Sequence, residues 1–329
     1  MKQIAMSVGD LTRIRFAISP ILTTVLSVRS FLQSPTTTAV MQDWHKAMVT
    51  GLDGHDLTAL RLFHPLGNHT IDFMFPFPAK TENRFDDELQ RIACTSISVI
   101  EAELDNLFQH GVISVEDISN YKNLPGLLMQ AVDELALVWR NVMCPNWEKI
   151  NAVLQNDIVY RSRTLANGGV LALFQGLSTD IHLESSALLS IYTQCQSDLT
   201  VEPNGHGLLF VPFFFSNSSV WLQTPVNTAP TVSYQAYGAG AWNRDVTEGN
   251  GNDVMLKLFG KNRANLLYAL IQPTSTKHLA LKLNLTSGAI SQQLNLLKEA
   301  NLITSERRGR SVYYLLNEKG KQLLHLFNV

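Results

Sequence analysis

Residues 275–314 read STKHLALKLN LTSGAISQQL NLLKEANLIT SERRGRSVYY, and three changes of pattern within them decide the fold. Leu279, Ala280 and Leu283 recur at helical spacing behind a Thr274 or Ser275 cap, Asn284-Leu-Thr286 interrupts, and Ile290, Leu294 and Leu297 resume the helical period. Thr286 stands where it can cap the later helix. Leu302–Glu306 and Ser311–Leu316 follow as strand-like runs joined by Arg307-Arg-Gly-Arg310, the composition of a hairpin with a cationic tip. Upstream, Val254, Leu258, Phe259, Leu266, Leu267, Leu270 and Ile271 predict one helix over 254–271. Gln272-Pro273 ends it, because proline lacks a donor and restricts the residue before it.

Two helices, a short turn and a basic hairpin together predict a winged helix-turn-helix, which lays one helix in the DNA major groove with a cationic loop beside it. With Ile290, Leu294 and Leu297 facing inward, Thr286, Ser287, Gly288, Ala289, Ser291, Gln292 and Gln293 lie on or near the exposed N-terminal part of the helix. Small residues there let the backbone approach closely. Glutamine suits a bidentate contact with adenine and serine a phosphate or base edge, so an A/T-containing half-site is expected. Arg307, Arg308 and Arg310 complete the candidate DNA-binding set. A charge run is ordinarily just a solvated loop, but its place at a hairpin tip beside a matching helix pair favours a polyanion partner. Lys277, Lys282 and Lys298 suit phosphate or solvent better than bases.

Charge is distributed to match. The 329 residues sum to −2, yet residues 1–250 carry 15 Lys and Arg against 24 Asp and Glu (−9), and residues 251–329 carry 11 against 4 (+7). The length suits two domains, an acidic accessory domain over 1–250 and a basic one over 251–329, with the boundary at 243–252. Cys94, Cys144 and Cys195 form no metal-ligand spacing and are expected as buried thiols in a reducing cytoplasm. Apolar runs are too short for a membrane span, and Asp10 precedes any long apolar region, so neither membrane insertion nor a secretory signal is expected.

Within the first 250 residues, helical patterns are read over 19–52, 85–110, 116–121, 124–140, 147–167 and 169–177, and 64–80 as an irregular connection packed on the core. Strands of a small sheet are read at 181–189, 207–215, 219–222 and 231–236. The fold class is therefore α+β: a mostly helical N-terminal domain with a small β-sheet, then the C-terminal winged helix-turn-helix.

Residues 254–327 resemble the ArsR-type (arsenic-repressor) winged-helix regulators in Leu258-Phe-Gly-Lys-Asn-Arg-Ala-Asn-Leu-Leu267, His278-Leu-Ala280, Ala289-Ile-Ser-Gln-Gln-Leu294, Leu297-Lys-Glu-Ala-Asn-Leu-Ile303 and Arg307-Arg-Gly-Arg-Ser-Val-Tyr-Tyr314. The resemblance implies a homodimeric repressor on a near-palindromic operator, its seam formed by 254–271 and 318–327 with Leu323, Leu324 and Phe327. Many members have His where Gln293 stands, so their base preference is not carried over. Metal-sensing relatives use a cysteine pair before the recognition helix or Asp and His on the last helix. Lys277–Leu283 has no cysteine and His325 stands alone, so no metal or other cofactor is expected.

The upstream region is also similar to the accessory domain preceding this module in a group of bacterial regulators, at Arg13–Pro20, Trp147–Gly169, Gly207–Pro212 and Tyr237–Trp242. Asp157 and Arg161, four apart on one helix, make either an intrahelical ion pair or an arginine anchor for an acidic effector. Phe214, Trp221 and Trp242 are aromatic candidates for lining an effector pocket, or plain core. The chain carries no GxSxG, GxxxxGK[ST] or HExxH, so it is not expected to be an enzyme. The alternatives to a DNA-binding regulator are a winged helix used for protein contact and an enzyme with a fused regulatory tail.

Overall fold

The computed structural model describes all residues except 1, 34–38, 65–70, 79, 115–118, 179, 185–187, 193–198, 215–219, 225–227, 237–238, 240–253, 271–273, 284, 309–310 and 327–329. It also leaves aside the side chains of 33, 39–43, 254, 278, 281–282, 308, 311, 318 and 325–326. In chain order the elements are β1 (Lys2–Ala5), α1 (Val8–Leu11), β2 (Ile14–Phe16), α2 (Pro20–Gln33), α3 (Ala39–Leu52), α4 (Thr58–Phe63), α5 (Phe85–Ala93), α6 (Ile97–Gln109), α7 (Leu124–Val138) and α8 (Cys144–Leu177). Strands β3 (Ile181–Leu183), β4 (Leu188–Ile191), β5 (Leu199–Val201), β6 (Leu208–Phe213), β7 (Val220–Gln223) and β8 (Thr231–Gln235) follow. Last come α9 (Val254–Phe259), α10 (Lys261–Ala269), β9 (Thr274–Ser275), α11 (Thr276–Leu283), α12 (Ser287–Glu299), β10 (Ile303–Arg308), β11 (Ser311–Leu316) and α13 (Glu318–Leu326). Helices and mixed sheets make the chain α+β. It divides into two units, residues 1–37 with 44–236 and residues 38–43 with 237–329.

In the first unit, residues 17–30, which include most of α2, are buried without a break although Thr23, Thr24, Ser27, Arg29 and Ser30 are among them. Three of the hydroxyls tolerate this by turning back on the chain of their own helix, Thr23 Oγ1 donating to the Ser19 carbonyl at 3.1 Å, Thr24 Oγ1 to Pro20 at 2.8 Å and Ser27 Oγ to Thr24 at 2.7 Å, whereas Ser30 Oγ is buried without a hydrogen-bond partner. Helix starts are closed by carboxylates from other elements, which satisfy donors a helix cannot satisfy itself. Glu88 Oε2 accepts from Ile21 N and Ser19 Oγ, both at 3.0 Å. Glu134 accepts from Ala59 and Leu60 N at 3.1 and 2.8 Å. Burial pushes the Glu88 carboxyl up to about 7 against the opposing pull of those hydrogen bonds and of Arg91.

Two four-stranded sheets lie in this unit. One runs β3-β4-β1-β5, with β1 antiparallel to β4 and parallel to β5; the other runs β2-β6-β8-β7, with β2, β6 and β8 parallel and β7 antiparallel to β8. Ile4 and Ile191 of the first share one core with Phe210, Val232 and Tyr234 of the second and with Leu173, Phe174 and Leu177 of α8. The opposite face of the second sheet carries Trp221, Gln223, Thr231 and Ser233 and meets α2 through Arg29. Cover on both faces is what parallel pairing requires. Helix α8 reaches its core only by breaking at Gly169, whose φ of 70° and ψ of −171° lie outside the range of a side-chain-bearing residue.

Several expectations are corrected. The helix read over 19–52 is two, α2 and α3; that over 85–110 is also two, because Cys94 caps α5 and a new start follows at Ile97. The strand read at 181–189 is the two arms β3 and β4, and β1, β2 and β5 were not read at all, being three or four residues long. The helix read over 254–271 breaks at Gly260, with φ 77° and ψ 153°. Thr274 and Ser275, expected only as a helix cap, also form a short strand on β11, immediately before the helix that starts at Thr276. Cys94 and Cys144 are exposed, since both sit at helix junctions outside the apolar faces; Cys195 lies outside the described residues. The boundary expected at 243–252 likewise lies outside them.

Candidate nucleic-acid interface

Helices α11 and α12 are joined by residues 284–286, and the turn is closed by Leu285 N donating to the Ala280 carbonyl at 3.0 Å. Thr286, in extended conformation, caps α12 by accepting from Ala289 N at 3.2 Å. Ile290, Leu294 and Leu297 are buried in a core with Leu266, Leu267, Leu279, Ile303 and Leu316. Their spacing rolls Gly288, Ser291, Gln292 and Asn295 together onto the opposite, exposed face. From Gly288 to Asn295 that face extends about 10 Å at ~1.5 Å per residue, three steps of a duplex rising about 3.4 Å per base pair.

Of the residues singled out in the sequence, Thr286, Ser287, Gly288, Ser291 and Gln292 are exposed, and Ala289 and Gln293 are half-buried. Gln293 turns to the flank of α12, where Arg263 Nε of α10 donates to its Oε1 at 3.1 Å. Arginine only donates, so this contact fixes which way the amide points. Asn295 and Arg263 were missed by the sequence reading, although Asn295, seven residues after Gly288, was recoverable from the helical repeat.

The hairpin pairs Arg307 with Val312 and Arg308 with Ser311. Arg307 is exposed; the Arg308 side chain and Arg310 lie outside the described residues. Contacts among the described residues tie the hairpin to the rest of the unit. Strand β9 pairs with β11 at Ser275–Tyr313 and Thr274–Tyr314, Lys298 Nζ donates to Ser305 Oγ at 3.2 Å, and Leu316 N donates to the Leu270 carbonyl at 3.2 Å.

In the first unit, Arg161 is buried, its Nε 3.3 Å from Asp157 Oδ1, and it donates to the Gly176 carbonyl across the Gly169 break. Tyr234 donates to Asp157 Oδ2 at 2.5 Å and lies within cation–π range of Arg161. Burial, with the Asp157 charge second, raises the Tyr234 phenol well above its ordinary value. This arrangement includes the ion pair foreseen from the i,i+4 spacing, and it joins α8 to β8. Phe214 is core; Trp221 is half-buried, under Arg29 and beside Phe75; Trp242 lies outside the described residues. Arg29 went unread in the sequence, and His64 was read there only in a loose cluster with His69 and Asp72 that was not expected to bind metal; His64 is buried, and His69 lies outside the described residues. Among the described residues no group of His, Cys, Asp and Glu is arranged to hold a metal, and no helix is long and apolar enough to cross a membrane. No family model matches the chain, and no curated protein does.

Proposed function

We propose that the chain is a DNA-binding transcriptional regulator. Its second unit acts as a winged helix-turn-helix with α12 in the major groove and the β10–β11 hairpin as the wing, and it works as a homodimer on a near-palindromic operator. The observation that carries this reading is the outward face of Gly288, Ser291, Gln292 and Asn295 on a capped helix after a three-residue turn, beside a hairpin that ends in arginines. The +7 balance of residues 251–329 supports it, since neutralising phosphates needs such an excess. Gln292 and Asn295 are the amides on that face, and both can pair with the N6 and N7 edge of adenine. The acidic first unit is the proposed accessory domain, shaping the dimer or receiving an effector, and repression by occlusion is the proposed mode.

Binding of the purified protein to DNA upstream of its own gene, at two salt concentrations with scrambled competitor, tests the proposal. Specific protection of a dimer-sized site supports it; sequence-blind binding at both salts rejects it. A second reading, protein contact by the same face, draws on Leu296, which is exposed beside Gln292. It is favoured if Leu296→Ser abolishes a complex that Arg307→Ala leaves intact.

A further inference from the structure

Strand β2 is an edge of its sheet, and an arginine stands on either side of Ile14. Ile14 and Phe16 pack on the core that holds Phe210 and Tyr234, so by the two-residue alternation of a strand Arg13 and Arg15 point away from it, and both are exposed. Each reaches the loop 202–207 that leads into β6. Arg13 Nη1 donates to the Gly205 carbonyl at 2.5 Å, and Arg15 Nη2 donates to the His206 carbonyl at 3.5 Å. The two acceptors are consecutive residues, so two guanidinium groups are anchored at neighbouring points of one loop. Like charges held side by side repel and ordinarily gain a counter-ion. Although residues 1–250 carry 24 Asp and Glu, neither arginine pairs with a carboxylate among the described residues.

The loop beneath them is fixed by Asp10. Its Oδ1 accepts from Gly205 and Gly207 N at 2.8 and 3.1 Å, and its Oδ2 from Ser7 N and Ser7 Oγ at 2.8 and 2.6 Å. Four donors thus occupy this buried carboxylate, which serves the loop and the start of α1 and not the guanidinium groups. Gly207, at φ 78°, lies so close to Arg13 that a Cβ would stand 2.2 Å from the Arg13 carbonyl oxygen. Such backbone contact leaves the loop no room to slide, and side chains anchored to it lose little further freedom on meeting a ligand. Arg13 is held through Nη1, which leaves its Nε–Nη2 fork for a bidentate contact, and Arg15 keeps its remaining donors.

We propose that Arg13 and Arg15 form a binding site for a small phosphomonoester. The Arg13 fork takes two oxygens of the phosphate and Arg15 the third, so that the two charges of the ligand meet two guanidinium groups. The class follows from the charge balance. A carboxylate supplies one charge for two cations, and a nucleic-acid backbone brings further phosphates against the net −9 of residues 1–250, whereas a compact dianion meets only the two arginines. The assignment goes beyond a receiving role for the first unit by naming the chemistry received, and it holds whether or not the second unit binds DNA.

Titration calorimetry of the full chain with glycerol 3-phosphate, at neutral pH and constant ionic strength in a buffer free of phosphate and carboxylate, tests the inference. One saturable site with a Kd of about 1 mM is expected, with dimethyl phosphate, which keeps the tetrahedral phosphorus but carries a single charge, about tenfold weaker. Arg13→Gln and Arg15→Gln remove the charge and keep a donor for the loop carbonyl. Each should weaken binding about tenfold at a little-changed thermal midpoint; if Arg13→Gln does not fold, Arg15→Gln, whose anchor is the longer contact, decides alone. Arg307→Ala, in the second unit, should bind the phosphate as the wild type does. Absence of saturable heat up to about 20 mM overturns the inference. So does saturation that Arg15→Gln leaves unchanged or Arg307→Ala abolishes, and equal affinity for dimethyl phosphate overturns the choice of a dianion.

Discussion

Replacing Glu88 by Gln should remove a pH dependence from the stability of the first unit. Burial raises the Glu88 carboxyl from 4.5 to about 7, opposed by the Ile21 and Ser19 hydrogen bonds and by Arg91. A carboxyl raised on folding holds a proton that the unfolded chain has already lost. Its contribution is therefore fully present below about 4.5 and is lost as pH rises through about 7. At ~1.4 kcal/mol per pH unit, the wild type should lose about 2.5 kcal/mol between pH 5 and pH 8 through this one group. Glutamine keeps the geometry, because Ser19 and Ile21 both donate to Oε2 and a single amide oxygen can receive them. The other carboxylate oxygen has no hydrogen-bond partner and only a loose 3.7 Å ion pair with Arg91. Urea unfolding of both proteins at pH 5, 6, 7 and 8 measures the effect as a difference of differences, in which the titrations of His64 and Glu103 cancel. Glu88→Gln should gain on the wild type steadily with pH. A stability difference that stays constant from pH 5 to pH 8 refutes the reasoning.

Tyr234→Phe, which removes the donor to Asp157, should cost about 1.5–3 kcal/mol in chemical denaturation, and Asp157→Ala about 3–5 kcal/mol because it strands the buried Arg161 charge. Gly169→Ala should cost about 1–3 kcal/mol by forcing a side chain into a positive-φ conformation, although a Cβ there meets open space; a neutral result in thermal unfolding would mean that the break tolerates other backbones. In quantitative DNA binding, Gln292→Ala should flatten base preference at one operator position per half-site, whereas Arg307→Ala should weaken all sequences alike and reduce the salt slope by about 1.

The legible parts of the chain were those where a long period or a special backbone residue governs the structure. Ile290, Leu294 and Leu297 on one side of a helix begun by Thr286, the arginine hairpin, and the separation of 147–167 from 169–177 at Gly169 were all visible in composition and spacing. Strands β1, β2 and β5 were not, because three or four residues carry no period and their pairing is decided by partners elsewhere in the chain. Helix α2 could be read as a helix, but not as one buried on all sides over residues 20–30, since three of its hydroxyls find acceptors on their own chain and conceal its polarity. The contact of Gln293 with Arg263, and the approach of Arg29 to Trp221 and to His64, depend on elements far apart in sequence. Asn295 alone was within reach of simple arithmetic on the helical repeat.

The pairing of β1 and β2 with strands late in the first unit also sets the order of events during synthesis. Lys2 pairs with Ile191, 189 residues on, and Phe16 with Phe210, 194 residues on. Until residues 188–213 have left the ribosome, these opening strands are unsatisfied edges, and both sheets wait on closure of the largest loops the unit contains. Such topologies fold slowly and lean on chaperones while they wait. The second unit is different: β9, α11, α12 and the hairpin all find their partners within about fifty residues, as the pairing of Thr274 with Tyr314 illustrates. These elements close their contacts locally, so a nascent chain should complete them quickly once they emerge, although residues 38–43 of the same unit come from far upstream. Slow maturation of the whole protein is then a property of its first sixteen residues, and pulse-labelled hydrogen exchange should find their amides among the last to be protected.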